Sequence, residues 1–321
     1  MRIRYLQNLI EIQAPAKVNL FLEILGRRED GFHQLETVIS SVSIYDTVRF
    51  SPRSDDQICF HVSGAESRSI PADESNLIVR ALNMLRDRFD LQMGADISIQ
   101  KRIPAQAGLG GGSSNAAAGL IAGASMWNLD VTPNELSALA AELGSDVPFF
   151  LQSGTCLCSG RGEKIQSVPT AAGWPIVIAM PPTGLDTAQV FRQHAKLVDT
   201  VKSEETRSAK SMLQSLRSRQ RVEVGRKMFN RLQESASQLS EWIVKLATSF
   251  SQLSNCLGHQ MSGSGSSYFG LFSNRLSAQR EAKRLSCLAP NARIFVGCTL
   301  GSLVLGSGTS ELATQRSTSC E

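Results

Sequence analysis

Between Lys101 and Leu120 the chain reads KRIPAQAGLGGGSSNAAAGL, and four of the five residues from Gly108 to Gly112 are glycine. Such a backbone takes positive φ without penalty and lets a ligand approach the main chain closely. It runs into Ser113, Ser114, Asn115 and an alanine-rich segment to Ser125, which reads as the capped start of a helix. A glycine loop feeding a helix N-terminus is a phosphate cradle. Amide hydrogens without intrahelical partners point out of the helix end, and the macrodipole favours negative charge there by about 0.3–1 kcal/mol per group. A flexible linker of the same composition would not end in a strong helix.

Two named phosphate motifs fit less well. A Walker loop needs GxxxxGK[ST], and no lysine follows these glycines. A dinucleotide fingerprint needs a third glycine where Ser113, Ser114 and Asn115 stand, although Asp130 lies near the distance of its ribose-binding acid. The loop therefore points to an anionic phosphate ligand and only weakly to a nicotinamide.

A chain of 321 residues holds two ordinary domains, and 42% hydrophobic with 19% charged residues describes folded, soluble material. The net charge of +4 is too small and dispersed to imply a nucleic-acid partner. No apolar run approaches a membrane span, and MRIRYLQNLIEIQ breaks up before a signal-peptide core develops, so a cytoplasmic protein is expected. Seven cysteines without a CxxC pair and four histidines without ligand spacing argue against disulfides and against a His/Cys metal site.

Along the chain, Val18, Leu20, Leu22 and Ile24 alternate with Asn19, Phe21 and Glu23, a strand with one buried face that places Lys17 at its entry. A turn at Asp30-Gly31 presents Phe32 and His33, which suit a planar base as well as a loop folding back on the core. Two β-rich runs, Leu35–Val42 and Asp46–Phe50, follow. A helix begins after Asn76, and a strand over Ala95–Gln100 delivers the chain to the glycine loop. Thr132, Pro133 and Glu135 form a capping box for a helix that ends at Gly144. Asp146 then stands in a loop before Pro148 and a further β-rich run. Composition shifts around 162–173, after which Pro175–Met180 reads as a buried strand and a helix opens at Asp186 or Thr187. The basic segment 202–231 reads as solvated helix faces, and Phe229–Thr248 as a helix. A second small-residue loop, Ser262–Ser267, adds further backbone donors or a plain hairpin turn.

Three of these stretches, APAKVNLFLEI at 14–24, PAQAGLGGGSSNAA at 104–117 and MSGSGSSYFG at 261–270, resemble in order the three motifs of the GHMP kinases (galactokinase, homoserine, mevalonate and phosphomevalonate kinases). RREDGFHQLETV at 27–38, NLIVRA at 76–81, GSDVPFF at 144–150 and PTGLDTAQVF at 182–191 resemble the branch whose acceptor is the 2-hydroxyl of 4-diphosphocytidyl-2-C-methyl-D-erythritol, in non-mevalonate isoprenoid biosynthesis. The resemblance implies an α/β (α+β) fold of two domains, 1–165 binding ATP and 166–300 completing the kinase, with the active site between them and a disordered tail over 301–321. It implies ATP and Mg²⁺ as cofactors and a small-molecule substrate carrying a cytidine diphosphate.

Carried over by residue, Lys17 and Asp146 are the implied catalytic pair. Pro104, Ala105, Gln106, Ala107, Gly108, Leu109, Gly110, Gly111, Gly112, Ser113 and Ser114 are implied to wrap the triphosphate, with the Ser114 hydroxyl near the metal. Asn76, Leu77 and Lys101 are implied to border adenosine, and Asn19, Phe32, His33, Thr187 and Phe191 to meet the substrate. Two departures stand out. Phe32 occupies the place of the family's usual tyrosine and so lacks its hydroxyl, and FNRLQ at 229–233 replaces a typical FNDLE.

Overall fold

Two unusually long strands carry the first half of the fold. In the computed structural model, which describes residues 1–301 except 68, 69, 72, 153, 169–171 and 201–205, β1 (Arg2–Leu6) forms a hairpin with β2 (Leu9–Arg27). Strand β2 pairs along its length with β3 (His33–Arg53). The two separate runs expected over 35–50 are thus one strand, whose halves find different partners. Thr47–Arg53 pairs with β5 (Gly94–Gln100), which runs parallel to the edge strand β4 (Ile58–Ser63). Leu35–Ser40 pairs with β6 (Thr155–Gly160), to which β7 (Lys164–Ser167) is added.

The middle of strand β2 is buried on both faces, with Val18, Asn19, Leu20, Phe21 and Glu23 all 3% exposed or less. A single buried face fails because the strand lies between two halves of the molecule. Helix α2 (Gly111–Met126) packs against it, and the apolar core shared with the second sheet takes Val18, Leu20 and Phe21. Register shifts at Pro15/Ala16 and Asn19/Phe21 re-aim its side chains between these environments.

Helix α2 is the middle of the first unit. Its buried residues include Ala116, Ala117, Ala118, Gly119, Leu120 and Gly123, so no single apolar face exists. A Cβ at Gly123 would stand 2.7 Å from the side chains of Leu82 and Leu85, so its absence lets α1 (Leu77–Phe89) approach closely. The N-cap is Gly110 at φ 66°, with no side-chain cap bond. The expected serine or asparagine cap is therefore absent: Ser113, Ser114 and Asn115 lie inside the helix, and its first amides are left for a ligand. Helix α3 (Pro133–Leu143) has the capping box, complete with Thr132 and Glu135. The run after Asp146 opens as a helix, α4 (Val147–Gln152), and becomes strand only at β6; a short apolar run fits either, and Pro148 suits a first helical turn.

The chain changes sheet between Ser167 and Pro175, so a division at 165/166 cuts through β7. The second sheet has the order β10 (Cys256–Met261), β11 (Tyr268–Phe272), β8 (Pro175–Met180), β12 (Arg293–Cys298), antiparallel throughout. The intervening elements are α5 (Thr187–Thr200), α6 (Lys210–Arg217), α7 (Arg221–Arg226), β9 (Phe229–Asn230), α8 (Gln233–Leu239) and α9 (Glu241–Ser251), with α10 (Arg275–Leu288) before β12. The single helix expected over 229–248 is broken because Phe229–Asn230 pairs in parallel with Phe21–Leu22, and Ser240 is extended between α8 and α9. Ile176, Ile178, Phe269 and Leu271 face the first sheet, whereas Val177, Ala179, Tyr268 and Phe272 face α8 to α10. Of the expected tail 301–321, all but Gly301 lies outside the described residues, as do residues 202–205 of the basic segment.

Candidate functional site

Three backbone segments are pinned together beside α2. The Lys17 amide donates to the Leu109 carbonyl at 2.9 Å, the Ser262 hydroxyl to the Gly108 carbonyl at 2.9 Å, and the Ser267 amide to the Ala107 carbonyl at 3.1 Å. The glycine loop is thus held by strand β2 on one side and by the 262–267 loop on the other. Gly108 (φ 71°) has no room for a Cβ, which would overlap the Ser262 carbonyl. At Gly110 a Cβ would stand 2.9 Å from both Lys17 Cγ and the Phe150 ring. These glycines serve close approach as much as backbone freedom.

A cavity of about 910 Å³ opens at this junction. Lys17, Asn19, Gln106, Gly108, Gly110, Ser113 and Asp146 line one part of it, and Phe32, His33, Thr187 and Phe191 another. Pro104, Ala105, Ala107, Leu109, Gly111, Gly112 and Ser114 do not line it and form the frame of the loop and helix start. Asn76 and Leu77 sit outside the cavity wall. Asn76 caps α1 by accepting from the Ile78 amide, and a Cβ at Gly112 would stand 3.5 Å from Leu77 Cδ1.

Lys17 is enclosed, with its side chain 6% exposed, while that of Asp146 is 36% exposed. Lys17 Nζ donates to Asn19 Oδ1 at 2.8 Å and lies 3.4 Å from Asp146 Oδ2. Asn19 Nδ2 donates to Thr37 Oγ1 at 2.9 Å, and the Thr37 hydroxyl donates to the Phe21 carbonyl at 2.7 Å. That last bond commits the hydroxyl proton, so Thr37 accepts from Asn19 and turns the Asn19 oxygen toward Lys17. Gln260 Nε2 adds a 2.6 Å bond to the Asn19 carbonyl. Thr37 and Gln260 were not evident from the sequence. Each joins the network through β3 or β10, elements whose register with β2 no local pattern states.

Lys101, implied as a neighbour of adenosine, is 1% exposed and forms a buried ion pair with Asp46. Its ammonium lies beneath Gly111, since a Cβ there would stand 2.9 Å from Nζ. Asp46 also accepts from the amides of Arg102 and Ile103 at 2.7 and 2.8 Å and from Asn115 Nδ2 at 3.1 Å. One carboxylate thus ties the entry of the loop to the start of α2. Burial lowers the Lys101 pKa, opposed by the charge and hydrogen bond of Asp46.

At the other end, His33 stacks on Phe191 with centroids 4.8 Å apart and an interplanar angle of 28°. Burial and then the Arg27 charge lower the His33 pKa, which keeps its imidazole neutral near neutral pH. Phe32 is 51% exposed, with the Arg161 guanidinium 4.9 Å from its ring centroid. The Thr187 hydroxyl is 2.8 Å from that of Ser264. Among the described residues no group of three or more His, Cys, Asp or Glu forms a metal centre, and no helix is long and apolar enough to cross a membrane. Ser114 Oγ, at the start of α2, is buried without a hydrogen-bond partner.

Comparison with known proteins bears on this geometry. The GHMP kinases N terminal domain matches residues 76–154, and the GHMP kinases C terminal domain matches residues 212–291. A 4-diphosphocytidyl-2-C-methyl-D-erythritol kinase of Pelotomaculum thermopropionicum is 35% identical over 271 residues, covering 84% of this chain and 92% of its own. The crystal structure of a 4-(cytidine 5'-diphospho)-2C-methyl-D-erythritol kinase superposes with a TM-score of 0.72 at 31% identity, covering 91% of this chain and 99% of that one. An L. major mevalonate kinase in complex with R-mevalonate reaches the same TM-score of 0.72 at 15% identity over 91% of this chain and 96% of its own, a likeness of fold alone.

Proposed function

We propose roles for the cavity residues from one premise: this chain belongs to the GHMP kinases, in the family of 4-diphosphocytidyl-2-C-methyl-D-erythritol kinases. Its reaction is the ATP-dependent phosphorylation of the 2-hydroxyl of that substrate, a step of isoprenoid precursor biosynthesis. The observation that carries the reading is one cavity holding a Lys–Asp pair beside a glycine loop and an aromatic–histidine pair further along.

The acceptor is a tertiary alcohol, a poor nucleophile at neutral pH. Asp146 is the group that accepts its proton as the oxygen attacks the γ-phosphorus and the bond to the β-phosphate oxygen breaks, releasing ADP. A positioned base of this kind contributes about 10²–10⁴ in rate. Lys17 holds the Asp146 carboxylate and keeps a donor for the transferring phosphoryl group, after one goes to Asn19. The triphosphate rests in the loop from Pro104 to Ser114, against the open amides at the start of α2. Adenosine borders Asn76 and Leu77, while Lys101 supports the loop from behind. Mg²⁺ would be held by the phosphates and by Ser114 Oγ, whose lack of a protein partner fits a ligand oxygen, and it supplies neutralisation of phosphate charge.

Neutral His33 suits the cytosine ring, because it offers one donor and one acceptor where a charged imidazolium would offer donors only. Phe32, Phe191 and Thr187 complete that end. A coupled assay of ADP release with the purified chain, ATP, Mg²⁺ and the cytidyl-diphospho substrate tests reaction and acceptor together. Turnover dependent on both nucleotides is expected; a folded protein that binds ATP but does not phosphorylate this acceptor would overturn the reading.

A further inference from the structure

Four basic side chains line the cavity, and they are not equally committed. Lys17 pairs with Asp146, and Arg192 lies 4.0 Å from Asp186. Arg27 stands opposite His33 in the β2–β3 ladder, at the base-binding end. Arg161 makes no ion pair among the described residues. The nearby Asp30 carboxylate takes three hydrogen bonds from Arg28 and feels the Arg161 charge only at longer range, without an ion-pair contact.

The placement of Arg161 is specific. It sits in the tight connection between β6 and β7, flanked by Gly160 at φ 75° and Gly162 at φ 114°. Its amide is fixed by Glu163 at 2.6 Å. A Cβ at Gly162 would stand 3.8 Å from Ser145, the residue before Asp146. From this anchor beside the catalytic end, the Arg161 side chain reaches the ring of Phe32 and lines the same cavity. A guanidinium held over a ring by cation–π attraction still has N–H donors to offer a ligand.

We propose that Arg161 is the diphosphate-binding residue of the acceptor site and determines the preference for a nucleoside diphosphate over a bare nucleoside. This rests on the acceptor reading given above. A cytidine-diphosphate-linked polyol that puts its base near Phe32 and its hydroxyl at Asp146 must lay its diphosphate across the interval Arg161 spans. The residue also bears on Phe32 itself. A phenylalanine has no hydroxyl to offer a phosphate oxygen or ribose, and the guanidinium beside it supplies N–H donors in its place, two of them able to grip one phosphate side by side.

The test is the binding of cytidine and of CDP, measured by calorimetry with a non-hydrolysable ATP analogue saturating the donor site. CDP is expected to bind the native chain about 10–100-fold tighter than cytidine, the range of charge-assisted phosphate bonds. In Arg161→Gln that preference is expected to shrink at least about tenfold, with cytidine affinity and the KM for ATP unchanged, and Arg161→Lys is expected to fall between the two because it loses the planar fork. A CDP preference that survives intact in Arg161→Gln overturns the assignment while leaving the cytidine site standing. Failure of both ligands to bind the native chain overturns the acceptor reading and this assignment with it.

Discussion

Asp46 and Lys101, 55 residues apart in sequence, meet as a buried ion pair directly beneath the start of the glycine-loop helix. Lys101 is 1% exposed and Asp46 is fully enclosed, so neither charge can turn to water if its partner is lost. Removing one member of such a pair costs about 3–5 kcal/mol, whereas replacing both by apolar residues of similar volume costs far less. Asp46→Asn is therefore expected to destabilise the chain by about 3 kcal/mol or more and to raise the KM for ATP, since an Oδ1 can still accept from the amides of Arg102 and Ile103 but an NH₂ then replaces the oxygen that accepts from Lys101 and Asn115. Asp46→Leu combined with Lys101→Met is expected to recover part of the stability and little of the ATP affinity. Urea unfolding of the single and double variants gives the coupling, and additive losses would show that the pair does not act as one unit.

At the reacting end the expected effects are on kcat. Asp146→Asn keeps the shape and removes the proposed general base, so kcat should fall about 10²–10⁴-fold with little change in either KM. Lys17→Ala removes both a phosphate donor and the restraint on Asp146, and a loss of at least the same size is expected. Steady-state kinetics on folded protein checks both. Native-like kcat in Asp146→Asn would remove the general base from the mechanism and leave the phosphate cradle untouched.

Thr37 acts one step further back. Its proton goes to the Phe21 carbonyl and its lone pair receives Asn19, which presents its oxygen to Lys17. Thr37→Val keeps the volume but breaks both bonds, and Asn19 is then free to turn its NH₂ toward the ammonium. A drop in kcat of about tenfold is expected, with KM for both substrates nearly unchanged and activity largely restored in Thr37→Ser, because the chain of bonds needs only a hydroxyl. Loss of stability without this kcat-specific change, or no rescue by serine, would make Thr37 a packing residue instead.

These cases show what the sequence carries and where it falls silent. The glycine loop is legible because its composition, its spacing and the following helix all state the same requirement, an anion near open amides. Lys17 and Asp146 gain meaning only beside the motifs around them, since a lone lysine at a strand entry is ordinarily solvated. Thr37, Gln260 and Asp46 carry no local signal at all. Their roles depend on the β2–β3 register, on β10 meeting β2 across 241 residues, and on which of two strand faces turns toward α2. Local periodicity misread β2 for the same reason, because a strand sandwiched between two cores has no polar face to alternate. The start of the run after Asp146 is ambiguous by pattern, since a short apolar-rich segment satisfies either period, and the packing of Phe149 and Phe150 under α2 makes it a helix.

The pairing of Glu23 with Arg231 makes the stability of the chain depend on acid pH. Glu23 is 1% exposed and accepts from Arg231 Nε and Nη2 at 2.7 Å and from the amides of Arg207 and Ile24 at 2.9 Å. Burial pushes its carboxyl upward, but the Arg231 and backbone hydrogen bonds outweigh it, and the net shift is below the ordinary value of 4.5. A depressed folded-state pKa means that the unfolded chain binds the proton first. The stabilisation is complete above about 4.5 and is lost as pH falls through the lower folded-state value. Arg231 is also held by the Phe229 ring at 4.8 Å, so the pair fixes β9 against β2. Glu23→Gln should destabilise the chain by about 3 kcal/mol near neutral pH by taking the carboxylate away from the partly buried Arg231 guanidinium, and the gap between native and variant should narrow as the pH is lowered below about 4. Urea titrations at neutral and acid pH measure that gap, and a difference independent of pH would show that the Glu23 charge contributes nothing to holding the two units together.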